Sequence, residues 1–136
     1  MLCRVYFRVE ADEIELVNFN ENLPDEKKGL LKARKKIIDG VVHSQPPSWQ
    51  SSSGSQFEKV EGVDSCLMAI DKTVESYLAI FESAQQSAFK EICLEVVLKY
   101  ESQDEVGGLF LHSDTISKLS SIGAGFDLDA YLDIDD

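Results

Sequence analysis

Apolar residues recur at every second position over three stretches of the chain. From Cys3 to Glu10 every second residue is apolar, and the residues between them are polar. The same period of two runs over residues 92–100 and again over residues 126–135. This period is typical of a β-strand that packs one face on a core. The pattern therefore predicts three strands.

Two further stretches have the spacing of helices. Between residues 64 and 84 the apolar side chains recur every three or four positions, with Asp64 as the N-cap. This spacing predicts an amphipathic helix. A shorter helix is predicted over residues 113–122, and Gly123 is expected to terminate it.

Residues 11–62 carry no dominant period. Residues 13–23 favour a short helix. Over residues 25–39 the apolar spacing fits a helix, but residues 35–42 also fit two strand fragments around an Asp-Gly turn. Periodicity does not separate these two alternatives. A pair of prolines interrupts regular structure farther on, so residues 44–56 are predicted to form a Ser/Pro-rich loop.

The chain has 136 residues, which is enough for one domain with a core of its own. We therefore expect residues 1–136 to form a single domain. The predicted strands and helices follow one another at short spacing. This order predicts the α+β class, with a single, mainly antiparallel sheet and helices packed on one face. Trp49 is favoured as a core aromatic over a partner-binding anchor.

The charge of the chain is strongly negative and unevenly distributed. It carries 25 acidic and 13 basic side chains, for a net charge of −12. Such a field repels nucleic acid and anionic lipid, so neither is expected as a partner. Residues 24–40 carry a charge of +3, from six basic and three acidic residues, whereas residues 101–136 carry −8, from nine acidic residues and one lysine.

Alternate residues of the last predicted strand form an aspartate ladder. Its members are Asp127, Asp129, Asp133 and Asp135, with Tyr131 in the middle of the same face. Residues i and i+2 of a strand lie about 6.6–7 Å apart, so these carboxylates repel one another.

Three interpretations of the aspartate ladder are open. The strand could lie beside the first one, so that Arg4 and Arg8 face the aspartates as cross-strand pairs. The ladder could be solvated and protect a sheet edge from pairing with other chains. In the functional interpretation it presents a negative surface to a basic protein. A calcium site is disfavoured, because a strand places ligands on a line and not around an ion.

No set of residues in the sequence favours catalysis. The only histidines are His43 and His112, and the run His112-Ser113-Asp114 is too compact for a triad. Glycine-rich phosphate-binding fingerprints are absent. The three cysteines lack the spacing of metal ligands. We therefore expect no enzyme, no cofactor and no metal.

The sequence predicts a cytoplasmic protein. Two arginines within residues 1–8 interrupt any signal-peptide core. No stretch approaches the roughly 20 apolar residues of a membrane helix. An odd number of cysteines without C-x-x-C spacing is typical of reduced thiols in the cytosol.

The C-terminal part of the chain adds a resemblance. Residues 107–119 read Gly-Gly-Leu-Phe-Leu-His-Ser-Asp-Thr-Ile-Ser-Lys-Leu, and residues 122–131 read Ile-Gly-Ala-Gly-Phe-Asp-Leu-Asp-Ala-Tyr. This order resembles the end of the bacterial family catalogued as domain of unknown function 4279. The amino-terminal strand and Ser48-Trp49 before a Ser-rich stretch are similar to the layout of that family, whereas residues 11–45 lack its Gly-x-x-Pro stretch. The resemblance implies a small, cytosolic, non-enzymatic protein, similar to some immunity proteins of bacterial toxin systems.

Our leading hypothesis is a cytoplasmic immunity protein that is a monomer when free. It would bind and neutralise a cognate bacterial toxin domain, such as a basic nuclease, through an acidic surface. The alternative is a small-ligand or metal-binding regulatory domain, and a third possibility is a hydrolase with a carboxylate pair in a deep cleft. The expected partner-binding residues are Asp127, Asp129, Tyr131 and Asp133, with Glu101, Asp104 and Glu105 as a second patch.

Overall fold

The computed structural model describes residues 1–84 and 86–133, apart from the side chains of residues 33–36, 43–45 and 86. Short 3-10 turns lie at Asp25–Lys27, Ser52–Gly54, Gln86–Ala88 and Gln103–Glu105. The strands and helices are β1 (Leu2–Ala11), α1 (Glu13–Glu21), β2 (Leu30–Ile38), β3 (Val41–Gln50), β4 (Glu58–Lys59), α2 (Val63–Ser83), β5 (Phe89–Tyr100), α3 (Ser113–Ser121) and β6 (Ala124–Leu132).

The strands form one mixed sheet in the order β2-β3-β1-β5-β6, and the short β4 pairs with β1. Each neighbouring pair is antiparallel except β5 and β6, which are parallel. A parallel pair needs a crossover connection, and α3 supplies it. This architecture confirms the predicted α+β class with a mainly antiparallel sheet.

Aromatic side chains hold the helices on one face of the sheet. Phe7 of β1 is fully buried and meets Tyr77 and Phe81 of α2 edge-on, at ring-centroid distances of 5.9 and 4.9 Å. Trp49 of β3 is also fully buried, and its ring centroid lies 5.0 Å from that of Phe19 in α1. Trp49 is therefore a core residue, as predicted. We call the opposite face of the sheet, which carries Arg8, the open face.

The strand alternative is correct for the stretch that sequence periodicity could not resolve. Residues 30–50 form the β2–β3 hairpin, whose loop consists of Asp39 and Gly40. Both residues have positive φ, +52° and +79°, as the favoured two-residue hairpin turn requires. Gly29 precedes β2, and a Cβ there would lie 2.1 Å from the carbonyl oxygen of Gln50, so only glycine fits.

The predicted Ser/Pro-rich loop at residues 44–56 is wrong in its first half. β3 continues to Gln50 because the strand accommodates its two prolines at a bulge. Lys32 pairs with Ser48, but Arg34 pairs with Gln45, so Pro46 and Pro47 together lie opposite a single residue of β2. A bulge leaves a residue out of the ladder of hydrogen bonds, and proline can therefore occupy it.

The long helix and the last strand differ from the prediction at their ends. Helix α2 begins two residues earlier than expected, with Gly62 as the N-cap and Asp64 in the first turn. An acidic side chain there still interacts favourably with the helix dipole. Gly123 follows α3 with a φ of +67°, which confirms that it terminates this helix. Strand β6 ends at Leu132, before the last aspartates of the predicted ladder.

Candidate functional site

Strand β6 forms one edge of the sheet. It pairs in parallel with β5, in a register that places Asp127 beside Glu95 and Asp129 beside Val97. Among the strands that the structure describes, none pairs with the other side of β6. Its outward backbone N–H and C=O groups are therefore free to pair with an added strand.

The two faces of β6 differ in chemistry. Asp127, Asp129 and Tyr131 share the open face and are exposed. On the other face Phe126 and Leu128 keep 37% and 39% of their surface exposed, because no helix covers the sheet edge completely. We call this combination, β6 with three polar residues on one face and two apolar residues on the other, the acidic edge. It brings together three of the four residues predicted from the ladder.

The C-terminal end of the predicted ladder is partly neutralised within the chain. Asp133 follows β6, and its carboxylate lies 2.7 Å from the ammonium group of Lys99 in β5. This ion pair removes one negative charge from the surface that a partner would meet. Asp135 lies outside the described residues. The unneutralised part of the ladder that the structure describes is therefore Asp127 and Asp129.

The arginines of β1 do not pair with the aspartates. Strand β5 separates β1 from β6, and two strand spacings amount to about 9.6 Å. The Arg4 Nε atom instead donates to the carbonyl oxygen of Gly54 at 2.8 Å. The Arg8 guanidinium pairs with Glu10, Glu91 and Glu95. The interpretation that placed the last strand beside the first is therefore wrong.

Glu95 is the buried carboxylate behind the acidic edge. It is 8% exposed, and the Nε atom of Arg8 donates to its Oε1 atom at 2.8 Å. Burial raises the pKa of Glu95, the Arg8 guanidinium opposes that rise, and the neighbouring Asp127 carboxylate adds to it. Glu95 and Asp127 occupy paired positions of β5 and β6, so a proton on Glu95 can bridge the two carboxyl groups.

Sequence reasoning missed Glu95, although a signal for it exists. The residue occupies a polar position in the alternation of residues 92–100. Alternation places it on the face opposite the core, but it does not indicate which strands flank β5. Only the pairing of β5 with both β1 and β6 brings Arg8 and Asp127 to Glu95.

Two of the three carboxylates in the second predicted patch make a contact within the chain. Glu101 and Glu105 accept hydrogen bonds from the Met1 amino group at 2.8 and 2.7 Å. These contacts lower the pKa of both carboxylates and raise that of the amino group. Glu105 also accepts from the backbone N–H of Ser102 at 3.1 Å. Of the patch, Asp104 is exposed and has no ion-pair partner among the described residues.

A groove of about 590 Å³ lies on the other side of the molecule, where the ends of α1 and α2 meet the start of β5. Its apolar surface comes from Phe19, Leu23, Ile80 and Phe89, and its polar groups include Glu15. Neither Glu95 nor Asp127 lines this groove. The paired carboxylates and the groove are therefore separate features.

The described part of the chain contains no group of three or more His, Cys, Asp or Glu side chains positioned to hold a metal ion. No helix in that part has both the length and the apolar character needed to cross a membrane. The chain matches no family model, no curated protein and no solved structure. The resemblance noted from the sequence stays a prediction.

Proposed function

We propose that this chain is a protein-binding domain that captures a basic partner by adding an extended segment of that partner to the acidic edge. The single observation that carries the proposal is the exposure of β6 as an edge strand, with Asp127 and Asp129 on one face and no cation paired with either among the described residues. An added strand would gain main-chain hydrogen bonds from β6. Alternating basic side chains of the segment would lie opposite the two aspartates, as cross-strand pairs do.

The apolar face of the acidic edge supplies the second part of the binding surface. Phe126 and Leu128 lie one residue from the aspartates and point to the other face of β6. A partner segment that alternates basic and apolar residues would therefore match both faces. Charge would speed the encounter, and burial of the two apolar side chains would slow dissociation.

We infer further that the partner is a bacterial toxin domain and that the chain is its cytoplasmic immunity protein. Two features support this inference: the acidic edge itself, and the resemblance of residues 107–131 to the family named above. A basic nuclease would offer the complementary charge. In this role the chain acts by binding and carries out no reaction.

The test uses the gene next to that of this protein. The proposal predicts a neighbouring gene for a large secreted protein, and its purified C-terminal domain serves as the probe. Asp127→Asn with Asp129→Asn should slow association several-fold at low salt, and the difference should shrink at high salt. Asp64→Asn with Glu82→Gln removes the same charge from exposed positions on α2 and should leave the rate unchanged.

Two results would contradict the proposal. Equal association rates for the two double variants would show that the acidic edge is not part of the interface, even if the toxin domain binds another surface. Failure of the toxin domain to bind the wild-type chain would overturn the immunity role.

The groove at the ends of α1 and α2 favours a second candidate, a small-ligand regulatory domain. Its volume of about 590 Å³ falls in the range of small-molecule sites, and its lining is mainly apolar. The probe is an apolar anionic dye such as anilinonaphthalene sulfonate. Saturable binding that Ile80→Lys abolishes would support this candidate, and binding that the variant leaves intact would contradict it.

A further inference from the structure

The edge of the sheet opposite β6 is exposed and apolar. Strand β2 pairs only with β3 among the described strands. Four of its large aliphatic side chains are strongly exposed, although residues of this kind usually lie in a core. They are Leu30 at 52%, Leu31 at 44%, Ile37 at 72% and Ile38 at 45%.

The two edges of the sheet carry opposite charges. The β2 sequence Leu-Leu-Lys-Ala-Arg-Lys-Lys-Ile-Ile contains four basic residues and no acidic one. The β6 sequence Ala-Gly-Phe-Asp-Leu-Asp-Ala-Tyr-Leu contains two acidic residues and no basic one. Both strands are nine residues long. In a chain with a net charge of −12, β2 is thus a basic edge strand that matches β6 in length.

The topology sets the direction in which the two edges would meet. Strand β2 is antiparallel to β3 and β3 to β1, so β2 runs in the same direction as β1. Strand β5 is antiparallel to β1 and β6 is parallel to β5, so β6 runs in the opposite direction. If a second copy continues the sheet, its β2 therefore lies antiparallel to β6 of the first.

The faces of the two edges also correspond. Lys32 pairs with Ser48, which pairs with Glu10, so Lys32 lies on the open face, the face of Asp127 and Asp129. Leu31 pairs with Trp49 and lies on the helix face, the face of Phe126 and Leu128. In the continued sheet a lysine would meet aspartates on one face, and aliphatic and aromatic side chains would meet on the other.

We propose that the chain self-associates head to tail, with β2 of one copy added antiparallel to β6 of the next. The occupant of each edge is thus a second copy of this chain, and this departs from the monomer expected from the sequence. Such an interface joins two different surfaces, so it can propagate along a row of molecules. Self-association and capture of a basic partner use the same β6 edge, and each excludes the other.

Two variants with one altered edge each test the proposal. Asp127→Lys with Asp129→Lys reverses the charge of the β6 edge and leaves β2 intact. Leu31→Glu with Lys32→Glu reverses the β2 edge, at two exposed positions, and leaves β6 intact. The matched controls on α2 are Asp64→Lys with Glu82→Lys, and Met68→Glu with Lys72→Glu, which make the same changes of charge at exposed residues.

The measurement is sedimentation velocity of the whole chain over a series of concentrations at low salt. The wild type and both controls should increase in mass beyond that of a dimer, and each edge variant alone should stay monomeric. An equimolar mixture of the two edge variants should form at least a heterodimer, because each copy keeps one functional edge. Formation of this heterodimer also shows that both variants fold.

Three results would overturn the proposal: a wild type that stays monomeric at every concentration, an edge variant that still dimerises with itself, and a mixture that remains monomeric. The outcome is separable from that of the proposed function. The variant with Leu31→Glu and Lys32→Glu keeps its acidic edge, so it should bind a basic partner even if self-association fails.

Discussion

The Nε atom of Arg8 donates to the Oε1 atom of Glu95 at 2.8 Å, across the two central strands of the sheet. Both side chains are nearly buried, at 10% and 11% exposure. Glu95 in turn contacts Asp127 on β6. Asp127 at the acidic edge is therefore linked to Arg8 of β1 through the nearly buried Glu95.

Removal of Arg8 should strongly destabilise the fold. Arg8→Ala leaves the Glu95 carboxylate buried without its cation, and loss of one partner from a buried pair costs about 3–5 kcal/mol. Glu91→Gln is the matched control, because Glu91 contacts the same guanidinium at 3.4 Å but is half exposed. Its cost should be at most about 1 kcal/mol. Urea unfolding measures both variants, and equal costs would contradict the role of the pair.

Stability should depend on pH through Glu95. Burial raises the pKa of Glu95 above its usual 4.5. Between pH 4.5 and the folded pKa, the folded chain therefore retains a proton that the unfolded chain has already lost. For this group the free energy of unfolding is highest below pH 4.5 and falls as the pH rises through the folded pKa. Asp127→Asn should lower the pKa of Glu95, because the Asp127 carboxylate contributes to its rise, and should make that fall smaller.

Carboxyl NMR titration and urea unfolding at several pH values measure these two effects. Glu101 and Glu105 contribute with the opposite sign, because their pKa values are lowered. They lie apart from Asp127, so their contribution to the free energy of unfolding is the same in the variant and in the wild type and cancels in the comparison. A Glu95 titration that Asp127→Asn leaves unchanged would show that the two carboxyl groups do not interact.

Asn20 should be essential to the junction between α1 and the hairpin. Its Oδ1 atom accepts from the Trp49 indole N–H at 3.0 Å and from the backbone N–H of Gly29 at 2.8 Å. Asn20→Ala leaves both donors unpaired, and each unpaired buried donor costs about 1–3 kcal/mol. Asn18→Ala, at an exposed position of the same helix, should cost far less. Thermal unfolding compares them, and similar melting temperatures would refute this role.

Cys3 and Cys66 should form a disulfide when the chain is oxidised. Their sulfur atoms lie 3.5 Å apart in the core, and the hydrogen bond between them lowers the pKa of Cys66. A bond of about 2 Å requires only a small approach. Diamide, which takes up the two thiol hydrogens, should link these residues and leave Cys93 free, since burial raises the pKa of Cys93 to about 11. Peptide mapping checks the pairing, and a disulfide that includes Cys93 would contradict it.

The strong local periods predict most of the fold. Strands β1 and β5 and helix α2 each bury one face, so their apolar residues recur at the period of the element. Strand β2 exposes its large aliphatic residues, which occur as the pairs 30–31 and 37–38. Such pairs fit a helix as well as a strand. For this reason the sequence left the hairpin unresolved.

The candidate site was predictable only in part. Alternation correctly places Asp127, Asp129 and Tyr131 on one face of one strand. It contains no information on the neighbouring strand, so the ion pair of Asp133 with Lys99 and the contact of Asp127 with Glu95 could not be foreseen. Similarly, the contact of Glu101 and Glu105 with the Met1 amino group joins residues 100 and 104 positions apart, which local patterns do not indicate.

Amide hydrogen exchange of β6 tests the central claim most directly. The probe is a synthetic peptide of alternating lysine and valine, added at a protein concentration where sedimentation shows a monomer. We expect residues 124–132 to become protected, less so in the variant with Asp127→Asn and Asp129→Asn, and as in the wild type with Asp64→Asn and Glu82→Gln. Exchange in β6 that stays unchanged as the peptide is added, or protection confined to other strands, would contradict the claim that the acidic edge captures basic segments.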